Sequence, residues 1–259
     1  MWEKELKAAI KAGLLAKEKI LYFYHQKVEV EIKEDNSPVT IADKTADGVI
    51  KDYLSKQFPT HSFLTEESED DVSRLKNDFV WIIDPVDGTK DFIAHDDEFT
   101  TNIALCYKHE IVVGVVIIPA LNEMYFASKN NGAFYQKDGE KPIRIHVNDK
   151  IDDLTCLVSI FHLNDKEKDA IARHSDRIKH VEKCGSSIKS CRIAHGLAEI
   201  HYRFSGNTKE WDTAALQGIV IEAGGIILDL NLKEIKYNRE DVYNRDGYIV
   251  VNRKENLLL

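Results

Sequence analysis

The chain has little of what staples or anchors a protein. Its 259 residues include only 4 cysteines, 5 prolines and 2 methionines. Cys106, Cys156, Cys184 and Cys191 have no Cys-x-x-Cys spacing, which argues against structural zinc. With no apolar signal core in Met-Trp-Glu-Lys-Glu-Leu-Lys, they read as reduced thiols of a cytoplasmic protein. Long hydrophobic runs are missing too. The most apolar stretch, Ile111–Ile118, is stopped by Pro119 and is too short to span a bilayer. Basic excess is also absent: a net charge of −9, with Lys and Arg scattered rather than gathered in a stripe, disfavours nucleic acid as a partner. What is present is 43% hydrophobic residues, enough to bury a large core in one large domain or two modest ones.

Periodicity divides the chain near residue 148. Residues 3–24 repeat apolar side chains at helical spacing (Leu6, Ile10, Leu14, Leu21). Val28–Ile32 alternates like a strand, Asp35-Asn36-Ser37-Pro38 turns it, and Val39–Ile41 returns into a helix over about 42–57. Strands are expected at 62–65 and 79–83, then an antiparallel meander at 100–107, 111–118, 123–127 and 133–136. Beyond residue 148 strands (155–159, 178–182, 199–203) alternate with helices (165–174, 186–196, 211–223). No repeat or Pro-rich linker separates the halves, so 1–148 and 149–259 are expected to form two closely packed subdomains with a binding cleft between them.

The most informative segment is Trp81-Ile-Ile-Asp-Pro-Val-Asp-Gly-Thr-Lys-Asp-Phe92, an apolar run followed at once by two carboxylates and Gly-Thr. A buried strand would deliver Asp84 and Asp87 to its end, where two acidic oxygens on a Pro-stiffened turn can hold hard cations such as Mg2+. Gly88 allows close backbone approach, and the amides of Gly88 and Thr89, at the start of a helix, would face an anion. Taken alone Asp84-Pro85-Val86-Asp87-Gly88 is equally a plain acidic turn. Three further carboxylates sit where elements begin or end: Asp43, Glu66 and Asp212. Asp43 and Asp212 also suit helix caps, and Glu66–Asp71 suits a solvated acidic run. Together they supply what a site for several Mg2+ ions requires, oxygen ligands on rigid supports.

Glu66-Glu67-Ser68, Asp84-Pro85-Val86-Asp87-Gly88-Thr89 and Trp211-Asp212-Thr213-Ala214-Ala215, with Glu222-Ala223-Gly224-Gly225 after them, resemble the inositol monophosphatase superfamily of lithium-sensitive, Mg2+-dependent phosphatases. The resemblance runs over nearly the whole chain. It implies an α/β fold, an alternating αβαβα layered sandwich of the inositol monophosphatase and fructose-1,6-bisphosphatase type. It also implies two or three Mg2+ held by Glu66, Asp84, the Val86 carbonyl, Asp87 and Asp212. Thr89, with Asp43 or Glu66, would orient and deprotonate a water, and the Gly88 and Thr89 amides would hold the phosphate. A homodimer is common in the superfamily, although no residue here points to an interface.

Asp87-Gly88-Thr89-Lys90-Asp91-Phe92, Glu98–Leu105, Thr208–Thr213 and Gly185-Ser186-Ser187-Ile188-Lys189 resemble the 3'(2'),5'-bisphosphate nucleotidase branch in particular. Asp91 stands where that branch often carries Glu. The resemblance implies nucleotide contacts from His162, Ser186, Lys189 and Arg203, and removal of the 3'-phosphate of adenosine 3',5'-bisphosphate to give AMP. Cations are physically apt for the phosphate that is not cleaved. An inositol or sugar monophosphatase would use the same metal site without that clamp, and a metal-dependent binder would use it without turnover. Other hydrolase signatures are missing: there is no Asp-x-Asp, Gly-x-Ser-x-Gly, P-loop or His-Glu-x-x-His.

Overall fold

The computed structural model describes residues 1–26, 29–32 and 38–259. The N-terminal helix α1 (Glu3–Tyr24) is followed by strands β1 (Val30–Ile32) and β2 (Pro38–Thr40), which pair antiparallel, and by α2 (Ile41–Gln57). Val28 and the expected turn at Asp35, Asn36 and Ser37 lie outside the described residues. Every fourth residue of α1 from Ala8 through Ala12, Ala16 and Ile20 is buried, and α2 answers with Ala42, Ala46, Ile50 and Leu54. Small side chains on this spacing let the two helices lie close together on one face of a sheet.

That sheet has seven strands in chain order: β3 (Ser62–Thr65), β4 (Phe79–Asp87), β5 (Thr100–Tyr107), β6 (Glu110–Ile118), β7 (Glu123–Ser128), β8 (Gly132–Lys137) and β9 (Ile143–Ile145). Only β3 and β4 run parallel; the rest form the expected meander, lengthened by β9. The strand period of two sorts the apolar residues cleanly. Trp81, Ile83, Ile103, Leu105, Val115 and Ile117 face α1 and α2, whereas Val80, Ile82, Ala104, Cys106, Val116 and Ile118 face the opposite layer.

The second half of the chain supplies that layer and a second sheet. Its elements are β10 (Leu154–Ser159), α4 (Asp165–Arg173), β11 (Ile178–Cys184), α5 (Ile188–Ala194), β12 (Ile200–Arg203), α6 (Glu210–Glu222), β13 (Ile226–Asp229) and β14 (Tyr248–Val251). The strand order is β11-β10-β12-β14-β13, parallel across the first three and antiparallel beyond. Helices α5 and α6 lie between the two sheets, sharing a core with Val80, Ile82, Val116, Leu157, Ile227 and Val250. Ala170 of α4 packs on the far face with Leu154, Cys156, Tyr202 and Ile249. The layers thus read helix, sheet, helix, sheet, helix, as the resemblance implies. A glycine decides how near α6 comes. A Cβ on Gly114 of β6 would overlap the carbonyl oxygen of Ala215, so helix backbone rests directly on strand backbone.

Candidate metal and phosphate site

Regular alternation would set Asp84 and Asp87, three residues apart, on opposite faces of β4. The pairing with β5 shows why it does not. Asp84 lies opposite Asn102 and Asp87 opposite Thr100, so three steps on β4 match two on β5. This one-residue bulge turns Val86 into the α1/α2 core and brings both aspartates to the α6 side. Pro85 fits because a bulge asks for no ladder donor there, and its carbonyl accepts from Thr101 Oγ1 at 2.9 Å. The strand therefore runs on to Asp87 instead of ending at Ile83 as the sequence pattern predicts. Asp212, in the first turn of α6, meets the pair, and single oxygens of Asp84, Asp87 and Asp212 lie within 4.8 Å of one another.

The electrostatics of this cluster are strained. Burial, followed by the charges of Glu66, Asp87 and Asp212, holds the Asp84 carboxyl well above the usual carboxylate range. Burial, then Asp87 and Glu66, pushes Asp212 up to about 8. Crowded hard oxygens whose charge is this costly are matched to a divalent cation, which would relieve both burial and repulsion. Glu66 follows β3 and is fixed through its backbone N–H to the Ile83 carbonyl at 3.2 Å. It stands beside the aspartates rather than inside the closest trio.

Next to this cluster Asp43 performs two tasks at once. Its Oδ2 accepts from the Thr40 N–H at 2.9 Å and from Thr40 Oγ1 at 2.7 Å, capping α2. Its Oδ1 accepts from Thr89 Oγ1 at 3.1 Å. The cap of α2 and the Thr89 contact are therefore made by the same carboxylate. Burial raises the Asp43 pKa, while the bonds from Thr40 and Thr89 oppose that rise. Gly88 adopts φ 88°, a left-handed turn that opens α3 (Thr89–Ala94). A side chain there would strike the Asp91 carboxylate and the Ser186 Cβ.

The residues expected on the substrate side are differently employed. Ser186 Oγ donates to the Glu98 carbonyl at 2.8 Å. Lys189 is buried, and its Nζ donates to the carbonyls of Ser186 at 2.6 Å and Cys184 at 3.1 Å. Desolvation lowers its pKa. It braces the 184–186 turn from beneath, where a solvated helix lysine would reach into the cleft. Arg203 is half-buried and Nη1 touches the His162 carbonyl at 3.4 Å. His162 is exposed as a residue, yet desolvation of its ring, then the cations Arg203, Lys90 and Lys189, pushes it down to about 4. The imidazole is neutral at pH 7.

Sequence reasoning assigned no role to the groups that fix Asp87. Its Oδ2 accepts from Ser187 Oγ at 2.8 Å and from Thr100 Oγ1 and Asn102 Nδ2, both at 3.3 Å. Asn102 also donates to Ser187 at 2.8 Å, which ties the second half of the chain to the metal cluster. Thr100 and Asn102 lie in a segment that carried the resemblance, and their polarity inside an apolar strand was the available signal.

Three kinds of likeness to known proteins bear on this arrangement. The model of the inositol monophosphatase family matches residues 1–258. The 3'(2'),5'-bisphosphate nucleotidase CysQ of Aggregatibacter actinomycetemcomitans is 31% identical over 248 residues, 95% of this chain and 91% of that protein. CysQ of Escherichia coli K12 is 34% identical over 224 residues, 86% and 89% of the two chains. Among solved structures, CysQ from Bacteroides thetaiotaomicron superposes with a TM-score of 0.85 at 35% identity, covering 98% and 99%. An inositol monophosphatase from Thermotoga maritima follows at 0.78 and 28%, covering 96% and 90%. No helix among the described residues is long and apolar enough to cross a membrane. Matched along essentially its full length, the chain belongs to the inositol monophosphatase family.

Proposed function

We propose that the protein is a Mg2+-dependent 3'(2'),5'-bisphosphate nucleotidase, converting adenosine 3',5'-bisphosphate to AMP and phosphate. The observation that carries this reading is the meeting of Asp84, Asp87 and Asp212 within 4.8 Å, beside the Asp43–Thr89 pair. The likeness to CysQ proteins over 86–95% of the chain supports the nucleotide as substrate. The ion would be held by Asp84, Asp87, Asp212, Glu66 and the Val86 carbonyl. When bound, Mg2+ would supply Lewis-acid neutralisation of phosphate charge and acidify a nearby water.

The remaining work falls to side chains. Thr89 Oγ1 gives its proton to Asp43 Oδ1, so its lone pairs are free to take one from the attacking water. Water oxygen then bonds to phosphorus as the P–O3' bond breaks, its proton passing through Thr89 Oγ1 to Asp43, and the departing 3'-oxygen takes a proton from a second, bulk water. The Gly88 and Thr89 amides, freed by the left-handed turn, would hold the phosphoryl oxygens. Arg203 with neutral His162 forms the accessible anchor for the second phosphate, while Lys189 contributes its charge from below through the braced Ser186 turn. Residues 1–148 and 149–259 act as two subdomains, the first bringing most metal ligands and the second Asp212 and the substrate contacts.

The test is Mg2+-dependent phosphate release from adenosine 3',5'-bisphosphate beside inositol 1-phosphate and fructose 1,6-bisphosphate, each with and without lithium. A lithium-suppressed preference for the nucleotide is expected. Preference for inositol phosphate would keep the metal site and overturn the assignment of His162, Ser186, Lys189 and Arg203.

A further inference from the structure

The metal cluster joins distant parts of the chain, and a buried polar chain outside it bridges the same parts. Arg74 lies in the short 3-10 turn Val72–Lys76, a few residues after Glu66, and is only 1% exposed. Its guanidinium meets Asp70 through Nε at 2.6 Å and Nη2 at 2.8 Å. Nη1 donates to Asn238 Oδ1 at 2.8 Å and Nη2 to the Arg239 carbonyl at 3.1 Å, while Asn238 Nδ2 returns a bond to the Arg74 carbonyl. The backbone N–H groups of Asn238 and Arg239 then donate to the two oxygens of Glu210 at 2.7 and 2.8 Å.

Glu210 is fully buried and is the first residue of α6, two before Asp212. Its own N–H donates to Val242, and Asn244 donates to the Lys209 carbonyl at 2.9 Å. Segment 238–244 is thus a collar around the N-terminus of α6. Arg74 is the group that fastens this collar to the Glu66 turn. A solvated acidic run needs no fully buried arginine, and helix formation needs no buried glutamate tied to a loop.

We propose that Arg74, through Asn238 and Glu210, is a positioning residue that sets Asp212 against Glu66, Asp84 and Asp87. This deepens the metal-site reading and rests on it. The planar fork reaches three partners in different directions, so lysine should not replace it despite keeping the charge. Outer contacts that orient metal ligands typically carry 10- to 100-fold in metal affinity or activity.

The test measures Mg2+ affinity by titration calorimetry, together with thermal stability in EDTA and KM at saturating Mg2+. Arg74→Lys and Asn238→Ala should each weaken Mg2+ binding about tenfold while KM for the nucleotide stays near the parent value. Combined with Asp212→Asn, Arg74→Lys should remove no further Mg2+ affinity, because both act on one ligand. Parent-like Mg2+ affinity in both single variants, whatever their melting temperature, would overturn the proposal. Losses that add in the double variant would do the same. Should Asp212→Asn alone leave Mg2+ binding intact, the metal-site reading falls as well.

Discussion

Replacing Asp87 by Asn should make the metal-free protein more stable and the enzyme dead. Asp87 lies within 4.8 Å of both Asp84 and Asp212, and like charges at that distance repel by about 3 kcal/mol per pair at an effective dielectric of ~20. The neighbours escape part of this by taking protons, since burial and mutual repulsion have raised both of their pKa values. At pH 8.5 Asp212 is above its pKa of about 8, so at least its pair with Asp87 is retained, ~3 kcal/mol. Against it stands the weaker acceptor. Asn can offer its amide oxygen in place of Oδ2 to Ser187, Thr100 and Asn102, losing about 1 kcal/mol of charge assistance at the one short bond. The net gain is about 2 kcal/mol, which raises Tm by roughly 4–8 °C in a chain of this size. Calorimetric melting in EDTA at pH 8.5 reads this directly. Adding Mg2+ should stabilise the parent and leave Asp87→Asn almost unmoved, with turnover down at least about a thousandfold. A metal-free variant no more stable than its parent, or one that gains equally from Mg2+, would refute the charge-crowding argument.

Thr89→Ala should lower kcat by about 10^2–10^4 with KM little changed, and Thr89→Ser should recover most of it; stopped phosphate-release assays on both distinguish proton relay from packing. Metal-free stability should fall as pH rises. Asp84 and Asp212 are raised in the folded protein, so it binds more protons than the unfolded chain above their ordinary values; the share of stability due to Asp212 is present in acid and lost up to about pH 8, and Asp84 acts in the same direction. Melting in EDTA from pH 5 to 9 should show this decline and Mg2+ should flatten it; a rise with pH would contradict the assignment. Lys189→Met should lower Tm and reduce kcat/KM for the bisphosphate about 30-fold, as loss of two charge-assisted contacts to the Ser186 turn implies. A parent-like kcat/KM in a folded Lys189→Met enzyme would exclude the brace from substrate recognition.

The sequence made local chemistry legible and long-range placement much less so. Asp84, Asp87 and Gly88 declare themselves because they follow an apolar strand directly, and apolar spacing reveals α1 as a helix, although the stripe it buries is Ala8, Ala12, Ala16 and Ile20 while Leu14 is exposed. The bulge is invisible because it depends on the pairing with Thr100 and Asn102 across β5. Lys189 is assigned to the nucleotide by resemblance alone, and its burial shows only once α5 is seen enclosed between two sheets. Arg74 hides for the same reason: it sits next to an acidic run, and its partner Asn238 is 164 residues away. Strands β13 and β14 escape notice as short apolar runs without alternation, and only their antiparallel pairing defines them.

The bare contact between Gly114 and Ala215 bears on ion choice. Side chains between two elements act as a compliant layer, and here that layer is missing, so no side chain can repack to let α6 shift against β6. Asp212 rides on that helix while Asp84 and Asp87 ride on the sheet beneath it. On the metal-site reading above, a separation fixed in this way would resist the longer bonds and higher coordination number of Ca2+ and would favour the smaller Mg2+.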